Sequence, residues 1–180
     1  MTPQEQIAQF ISEKYMQPVR FAKLNFLSAS DWLVEHAEKV GVCIQNSSHQ
    51  ITTDFITHAL KEHGNAKTES ARGNIALTQQ DFFQIANIVS EPTFVVFGVK
   101  RDGQDRIIYI KDMQDGTALY FEEILTGGKT KTLRGKSLSK QKNKISVEKI
   151  RRILQANKRN DISKMIIAFG VAANSTVCHS

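Results

Sequence analysis

The sequence has too few cysteines for a disulfide framework and no apolar run long enough to cross a bilayer. Cys43 and Cys178 are the only two cysteines among 180 residues, and they form no CxxC pair. At most one disulfide is therefore expected, and a reducing compartment is the default. The longest apolar run, residues 165–173, is too short for a membrane span. The N-terminus, MTPQEQIAQF, has neither the basic nor the apolar region of a signal peptide, so the sequence predicts a soluble protein.

The motifs of several large enzyme classes are also missing. No GxxxxGK(S/T), GxSxG or GxGxxG occurs. The run Gly127-Gly128-Lys129-Thr130 lacks the upstream glycine and the following helix of a phosphate loop, so a hairpin turn is predicted there. His58 and His63 are five residues apart, which separates them by about 140° on an ideal helix. Because one metal ion is not expected to bind both, the sequence predicts no metal site and no cofactor.

Positive charge is concentrated in one part of the chain. The formal net charge is +6 with a pI of about 9.4, and half of the 24 lysines and arginines lie between residues 129 and 159. Such a basic block favours a polyanion such as RNA, although an acidic protein, a membrane surface or plain solvation would also account for it. The predicted RNA-binding residues are Lys111, Lys129, Lys131, Arg134, Lys136, Arg151 and Arg152.

Apolar periodicity predicts helices on both sides of a central β-rich stretch. Helices are expected over residues 2–16, 31–40, 53–63, 78–89 and 146–157. Gly64 is expected to end the third helix, and Thr78 with Asp81 forms a capping box for the fourth. The polar residues 45–50 are predicted to be a boundary, and residues 65–74 a loop.

From residue 93 the hydrophobic period changes to that of β-strands. Strands are predicted over residues 93–100, 106–111, 118–126 and 130–137, separated by Asp-Gly and Gly-Gly turn pairs. Helices followed by a meander predict an α+β fold, in which N-terminal helices pack on a four-stranded antiparallel sheet with extra flanking helices. The expected divisions are a helical segment over residues 1–50, the main domain over 51–145 and a helical extension over 146–180.

Two histidines and an arginine are candidates for chemistry. His63 lies on the apolar stripe at the end of its predicted helix, which fits either a core residue or a group that transfers protons. His58, on the flank of the same stripe, is open to the same two interpretations. Arg72 is either the ion-pair partner of Glu69 or a guanidinium clamp for a phosphate.

The strand region adds carboxylates, a hydroxyl and an ammonium group. Glu122 and Glu123 are adjacent on one strand and must point to opposite faces, so at most one of them enters a given site. Ser137 and Lys140 lie three residues apart at the end of the last strand. They suggest a shared phosphate ligand, or simply a basic strand end.

Taken in order, these residues resemble the phage-associated branch of the barnase–EndoU–colicin–RelE superfamily of RNases. Members of this branch often form C-terminal toxin domains of phage head-morphogenesis and polymorphic toxin proteins. The similarity covers about residues 51–140. It rests on an ordered series of segments, HALKEHGN, RGNIALTQQDF, EPTFVVFG, IIYIK, YFEEILTG and SLSK.

The resemblance implies a metal-independent endoribonuclease. The positions that match the family are His58, His63, Glu69, Arg72, Asp81, Lys111, Glu122, Glu123, Ser137 and Lys140. The residues with an implied catalytic role are His63, His58, Arg72, Glu122, Glu123, Ser137 and Lys140. Two positions depart from the family pattern, because Asn74 stands where glutamine is usual and Ser137 where threonine is usual. The shorter Asn74 side chain reaches less far than glutamine.

The implied reaction is attack of the ribose 2′-hydroxyl on the adjacent phosphate, which leaves a 2′,3′-cyclic phosphate. His63 would move a proton and Glu122 or Glu123 would supply the complementary carboxylate. The cations of Arg72 and Lys140 would stabilise the transition state, and Ser137 would hold a non-bridging oxygen.

The resemblance also implies partners and a place of action. The expected partners are RNA, with tRNA as one candidate, and a cognate immunity protein or antitoxin. Action in the bacterial cytoplasm, after delivery by a phage or a secretion system, follows from the same resemblance. Two alternatives stay open: a non-catalytic nucleic-acid-binding module on the same fold, and a protein-interaction module that uses the helical N-terminus.

Overall fold

A computed structural model describes residues 1–15, 21–127, 131–146, 148–150 and 152, and the backbone of residues 165–168. The helices are α1 (Pro3–Phe10), α2 (Asp31–Glu38), α3 (Thr53–His63), α4 (Ala66–Ala71), α5 (Gln79–Phe82) and α6 (Ile85–Ser90), with a π-helical turn over Ile11–Tyr15. The strands are β1 (Lys23–Ser28), β2 (Ser48–Thr52), β3 (Asn74–Ile75), β4 (Phe94–Arg101), β5 (Gln104–Asp112), β6 (Ala118–Thr126), β7 (Thr132–Gln141) and β8 (Met165–Ala168).

The described strands form one mixed sheet. Seven of them follow the order β1-β2-β7-β6-β5-β4-β8, and β3 pairs with the end of β7. Neighbours are antiparallel except β2 and β7, which run parallel. The α+β class and the central meander β4–β7 are as predicted. The prediction of a four-stranded, wholly antiparallel sheet is wrong, because β1, β2, β3 and β8 extend the meander.

Residues 1–50 were expected to be helical, but β1 lies within them and β2 begins within them. The register of β2 with β7 runs from Ser48 opposite Thr132 to Gln50 opposite Arg134. The polar sequence of residues 45–50 predicted a boundary, yet His49 and Gln50 are both buried in the sheet. The strand β2 could not be recognised from hydropathy because its sequence, SHQIT, is mostly polar. The predicted boundary at residues 45–50 therefore overlaps an element of the main sheet. The three-part division of the chain stays a prediction.

The predicted C-terminal helical extension contains a strand. Residues 148–150 and 152 are helical, as expected, whereas β8 pairs with β4 with Phe94 opposite Ala168. The remaining positions of the predicted helix 146–157, and of the extension 146–180, lie outside the described residues.

Helix α3 is confirmed with the predicted limits. The Thr52 hydroxyl accepts a hydrogen bond from the Phe55 amide at 3.1 Å, and Gly64 follows the last helical residue, His63. The predicted loop over residues 65–74 contains α4, which is too short to show a helical period in the sequence. No helix in the described part of the chain has the length and apolar character that a bilayer crossing requires.

The two faces of the sheet differ in what covers them. One face joins helical side chains in the larger core, whose members include Ile7, Leu33, Phe55, Phe82, Ile85, Tyr109, Leu119 and Phe121. The opposite face carries a smaller cluster, Val96, Val99, Ile108, Ile110, Ile145 and Ile150. Because successive strand residues point to opposite faces, Phe121 and Glu123 lie on the helix-covered face, and Tyr120 and Glu122 on the other.

Candidate active site

The turn after α3 positions the main cluster of polar groups. A side chain at Gly64 would place its Cβ 2.4 Å from the Leu60 carbonyl oxygen, so only glycine fits without a shift of the backbone. The Asn65 side chain then accepts a hydrogen bond from the Thr68 amide at 3.0 Å and starts α4. The Leu77 amide donates to the His63 carbonyl at 2.8 Å. The end of α3 is thereby held beside the segment that contains β3.

Glu69 is the centre of this cluster, which we call the Glu69 cluster and define as His63, Glu69, Arg72 and Asn74. Its carboxylate is fully buried. An Arg72 guanidinium nitrogen donates to Glu69 Oε1 at 2.8 Å, and Asn74 Nδ2 donates to Oε2 at 3.0 Å. His63 Nδ1 lies 3.3 Å from the same Oε2. One buried carboxylate therefore orients a histidine, a guanidinium and an amide.

His63 is placed as a group that can exchange protons with a bound molecule. Its side chain is 24% exposed, while Nδ1 is buried and has no hydrogen bond of good geometry. A small rotation would let Nδ1–H donate to Glu69, and such a contact fixes which ring nitrogen stays free. Arg72, with a side chain 50% exposed, presents its remaining N–H groups to solvent beside this ring.

The pKa of Glu69 follows from its surroundings. Burial raises the pKa of this carboxyl, but the hydrogen bonds from Asn74 and Arg72 and the nearby His63 ring lower it by more, so that the pKa of Glu69 lies below the usual 4.5. A lowered pKa in the folded state means that the charged carboxylate contributes stability above about pH 4.5. This contribution is lost as the pH falls through the folded-state pKa.

Glu69→Gln is expected to lower the free energy of unfolding by about 1–3 kcal/mol at pH 7, because the amide NH₂ group opposes the donors of Arg72 and Asn74. The difference from the wild type should shrink as the pH is lowered from 6 to about 3, following the protonation of Glu69. Urea unfolding at several pH values measures it. Glu38→Gln, an exposed position at the end of α2, is the control. A difference that does not depend on pH would contradict a charged Glu69 in the fold.

Lys140 lies on β7, next to the residue that pairs with Asn74 of the Glu69 cluster. In the pairing of β3 with β7, Asn74 is opposite Gln141 and Ile75 is opposite Lys140. The Lys140 ammonium donates to Asp81 Oδ1 at 3.0 Å. The other oxygen of Asp81 accepts from the Thr78 amide, as the predicted capping box requires, and also from the Thr78 hydroxyl. Asp81 thus connects the Lys140 ammonium of β7 to the start of α5.

Glu123 is not available to a bound molecule. It is fully buried, and His49 Nδ1 lies 2.9 Å from its Oε2 and 3.1 Å from its Oε1. Burial, and then the charge of Glu123, raises the pKa of Tyr109 on the neighbouring strand. The carboxylate beside His63 is Glu69 rather than either glutamate of the YFEE segment, and a role of Glu122 as the complementary carboxylate of the reaction stays a prediction.

Glu122 and Ser137 lie on the opposite sheet face from Lys140. Glu122 is opposite Ser137 in the register of β6 with β7, whereas Leu119, in the helix-side core, is opposite Lys140. The prediction that Ser137 and Lys140 share a phosphate oxygen is wrong for this geometry, because residues three apart on a strand point to opposite faces. Glu122 instead contacts Arg106 and lies 3.6 Å from a guanidinium nitrogen of Arg101.

The other predicted residues are dispersed. His58 is exposed on α3. Lys111 donates to the Glu91 carbonyl at 2.6 Å, and Lys131 to the Cys43 carbonyl at 3.0 Å. Arg134 is partly buried, and Lys136 and Arg152 are exposed. Lys129 and Arg151 lie outside the described residues.

The sequence analysis did not identify two residues that bond to buried carboxylates, Asn74 and His49. Asn74 was noted only as a departure from a family pattern, although its amide holds Glu69. His49 was not considered, because it stands in the polar stretch 45–50 that was predicted to be a boundary. Glu69 itself could be found from its spacing of three to Arg72, and their predicted ion pair is confirmed at 2.8 Å.

Comparison with known proteins gives one match. The family described as phage-Barnase-EndoU-ColicinE5/D-RelE like nuclease3 matches residues 28–146, about two thirds of the chain. The matched region contains β2, the Glu69 cluster and the strands β3–β7. No curated protein and no solved structure matches the chain.

Proposed function

We propose that this chain, which belongs to the phage-Barnase-EndoU-ColicinE5/D-RelE like nuclease family, is an endoribonuclease that cleaves RNA without a metal ion. The observation that supports this proposal is the Glu69 cluster, in which a buried carboxylate holds a partly exposed histidine beside a half-exposed arginine. A histidine and a guanidinium group supply proton transfer and phosphate binding, which are the two requirements of RNA cleavage by the 2′-hydroxyl.

In the proposed reaction the ribose 2′-oxygen attacks the adjacent phosphorus and the bond from phosphorus to the 5′-oxygen breaks. The 2′-hydroxyl loses a proton and the leaving 5′-oxygen gains one, so that the products are a 2′,3′-cyclic phosphate and a 5′-hydroxyl. His63 carries out one of these two proton transfers, since an imidazole nitrogen can accept or donate a proton. Glu69 acts on the reaction only indirectly, through the orientation of His63 and Arg72.

Arg72 and Lys140 are the proposed stabilisers of negative charge on the phosphate. Arg72 keeps N–H groups free after its bond to Glu69, because a guanidinium has five donors and the side chain is half exposed. Lys140 is 19% exposed and is oriented by Asp81. Cations held in place before the substrate binds need no reorganisation as charge develops in the transition state.

Metal independence is tested directly with purified protein and total RNA. Cleavage is expected to continue in EDTA at an undiminished rate and to leave 2′,3′-cyclic phosphate and 5′-hydroxyl ends, because His63 and Arg72 need no metal ion. End-group analysis of the products checks both points. Activity that disappears in EDTA and returns with Mg²⁺ or Zn²⁺ would contradict the mechanism.

The biological setting is part of the same proposal. Membership of a phage-related nuclease family supports a toxin that acts on cytoplasmic RNA, with tRNA as the first substrate to test. It also supports a cognate immunity protein or antitoxin as a partner. Incubation with tRNA and with messenger RNA under equal conditions separates the two substrate classes.

A further inference from the structure

A pocket lies on the sheet face opposite the side chains of Lys140 and Leu119. Its polar lining consists of Arg101, Glu122, Ser137 and Ser139, and its apolar lining includes Ile108 and Tyr120. The register of β6 with β7 places Glu122 opposite Ser137 and Tyr120 opposite Ser139, so these four side chains share one face. None of them takes part in the mechanism proposed above.

The charge of Glu122 is compensated by the buried guanidinium of Arg106. Arg106, whose side chain is 7% exposed, contacts Glu122 Oε1 and donates to Asp102 at 3.2 Å. The Arg106 Nε atom is buried and has no partner among the described residues. Because Arg106 compensates the Glu122 charge, the more distant Arg101 keeps most of its donors for another molecule.

Free donors converge on the pocket. The Arg101 side chain is 41% exposed, and its nearest carboxylate oxygen is 3.6 Å away, beyond good hydrogen-bond distance. The hydroxyls of Ser137 and Ser139 have no hydrogen-bond partner in the described part of the chain. A guanidinium beside two hydroxyls is suited to a phosphate group. Arg134 adds a cation on the same face, since it is opposite Ile124 in the register.

The floor of the pocket has a different chemistry. Val96, Ile108 and Ile110 form it together with the ring of Tyr120. An apolar floor with one aromatic ring accommodates a flat nucleobase, and stacking of this kind is worth about 1–3 kcal/mol per base. A phosphate site next to a base site is the pattern that a nucleotide of a single strand requires.

We propose that this pocket is a nucleotide subsite for single-stranded RNA, in which a base packs on Tyr120 and its phosphate binds Arg101 and the two serine hydroxyls. The inference rests on the proposed function only for the identity of RNA as the ligand. It assigns substrate binding to the sheet face away from Lys140, and β7 carries residues of both proposed sites.

The test measures binding of a short RNA whose 2′-hydroxyls are all methylated, so that attack by the 2′-oxygen is blocked. Fluorescence anisotropy with the full chain is expected to show about tenfold weaker binding for Arg101→Ala, because charge-assisted hydrogen bonds are lost. Lys100→Ala is the matched control, since Lys100 is the preceding residue, has the same charge and the same 41% exposure, and pairs with Asp105 instead. Its affinity should stay within about twofold of the wild type.

A second variant tests the base. Ser139→Phe would fill the pocket and is expected to weaken binding of the methylated RNA by about fivefold or more. The same RNA made without bases should lose less affinity, because for this RNA Ser139→Phe removes only one of the phosphate ligands, the Ser139 hydroxyl. Thermal midpoints confirm that each variant is folded. Equal effects of Arg101→Ala and Lys100→Ala, or equal losses for RNA with and without bases, would overturn the subsite.

The outcomes separate this inference from the proposed function. If unmethylated RNA is not cleaved but both pocket variants bind methylated RNA more weakly, the subsite stands and the nuclease mechanism fails. If RNA is cleaved and both variants bind like the wild type, the subsite is wrong and the mechanism stands. A wild-type chain that binds neither oligonucleotide overturns the subsite.

Discussion

His63→Ala is expected to lower the rate of RNA cleavage by about 10²–10⁴-fold while the protein stays folded, because loss of a group that transfers protons has this cost. Folding should survive, since Glu69 keeps its bonds to Arg72 and Asn74. The measurement pairs the cleavage rate with the thermal midpoint of the same preparation. RNA binding should change little, because the cation of Arg72 is retained.

His58→Ala is the control for this prediction. His58 lies on the same helix and is exposed, and the structure gives it no contact with the Glu69 cluster. Its removal should leave both the rate and the midpoint unchanged. If His63→Ala melts early and its folded fraction still cuts RNA at the wild-type rate, His63 is a structural residue only.

Glu123→Leu is expected to lower the free energy of unfolding by about 3–5 kcal/mol, since it removes one partner of a fully buried pair and leaves the His49 imidazole without its acceptor. This loss is a large part of the 5–15 kcal/mol that stabilises an ordinary domain. Urea unfolding measures it. Under conditions where the variant is folded, the cleavage rate should equal that of the wild type, because Glu123 is buried away from His63.

A double variant distinguishes the buried pair from simple packing. His49→Phe combined with Glu123→Leu replaces both polar groups, and such replacements are often neutral or stabilising. The double variant should therefore recover most of the stability that Glu123→Leu loses. A double variant that is less stable than the single one by the full cost of His49→Phe would show that the two residues act independently.

Local pattern was enough to predict several elements and part of the site. The limits of α3, the capping box of Thr78 and Asp81, and the strands of the meander follow from periodicity and end signals within a few residues. The ion pair of Arg72 with Glu69 follows from a spacing of three residues. These features depend on neighbours in the chain, so the sequence carries their cause directly.

Long-range pairing decided the rest. The strand β2 is recognisable only because it pairs in parallel with β7, which brings His49 to Glu123 across 74 positions of sequence. The register of β6 with β7 separated Ser137 from Lys140 and placed Ser137 with Glu122 and Arg101. A one-residue change of register would exchange the two faces, and nothing within β7 alone indicates which face receives the helices.

The sequence by itself thus determined the limits of α3, the meander, the basic character and the resemblance to a nuclease family. Only the tertiary structure decided which carboxylate lies beside His63. Glu69 lies beside His63 because the turn at Gly64 folds α4 back against the end of α3. Glu122 contacts Arg106 instead, and Glu123 contacts His49 on the opposite face of the sheet. The type of a functional group is given by the sequence. Whether that group is free to contact a bound molecule depends on the partners that the fold brings to it from distant parts of the chain.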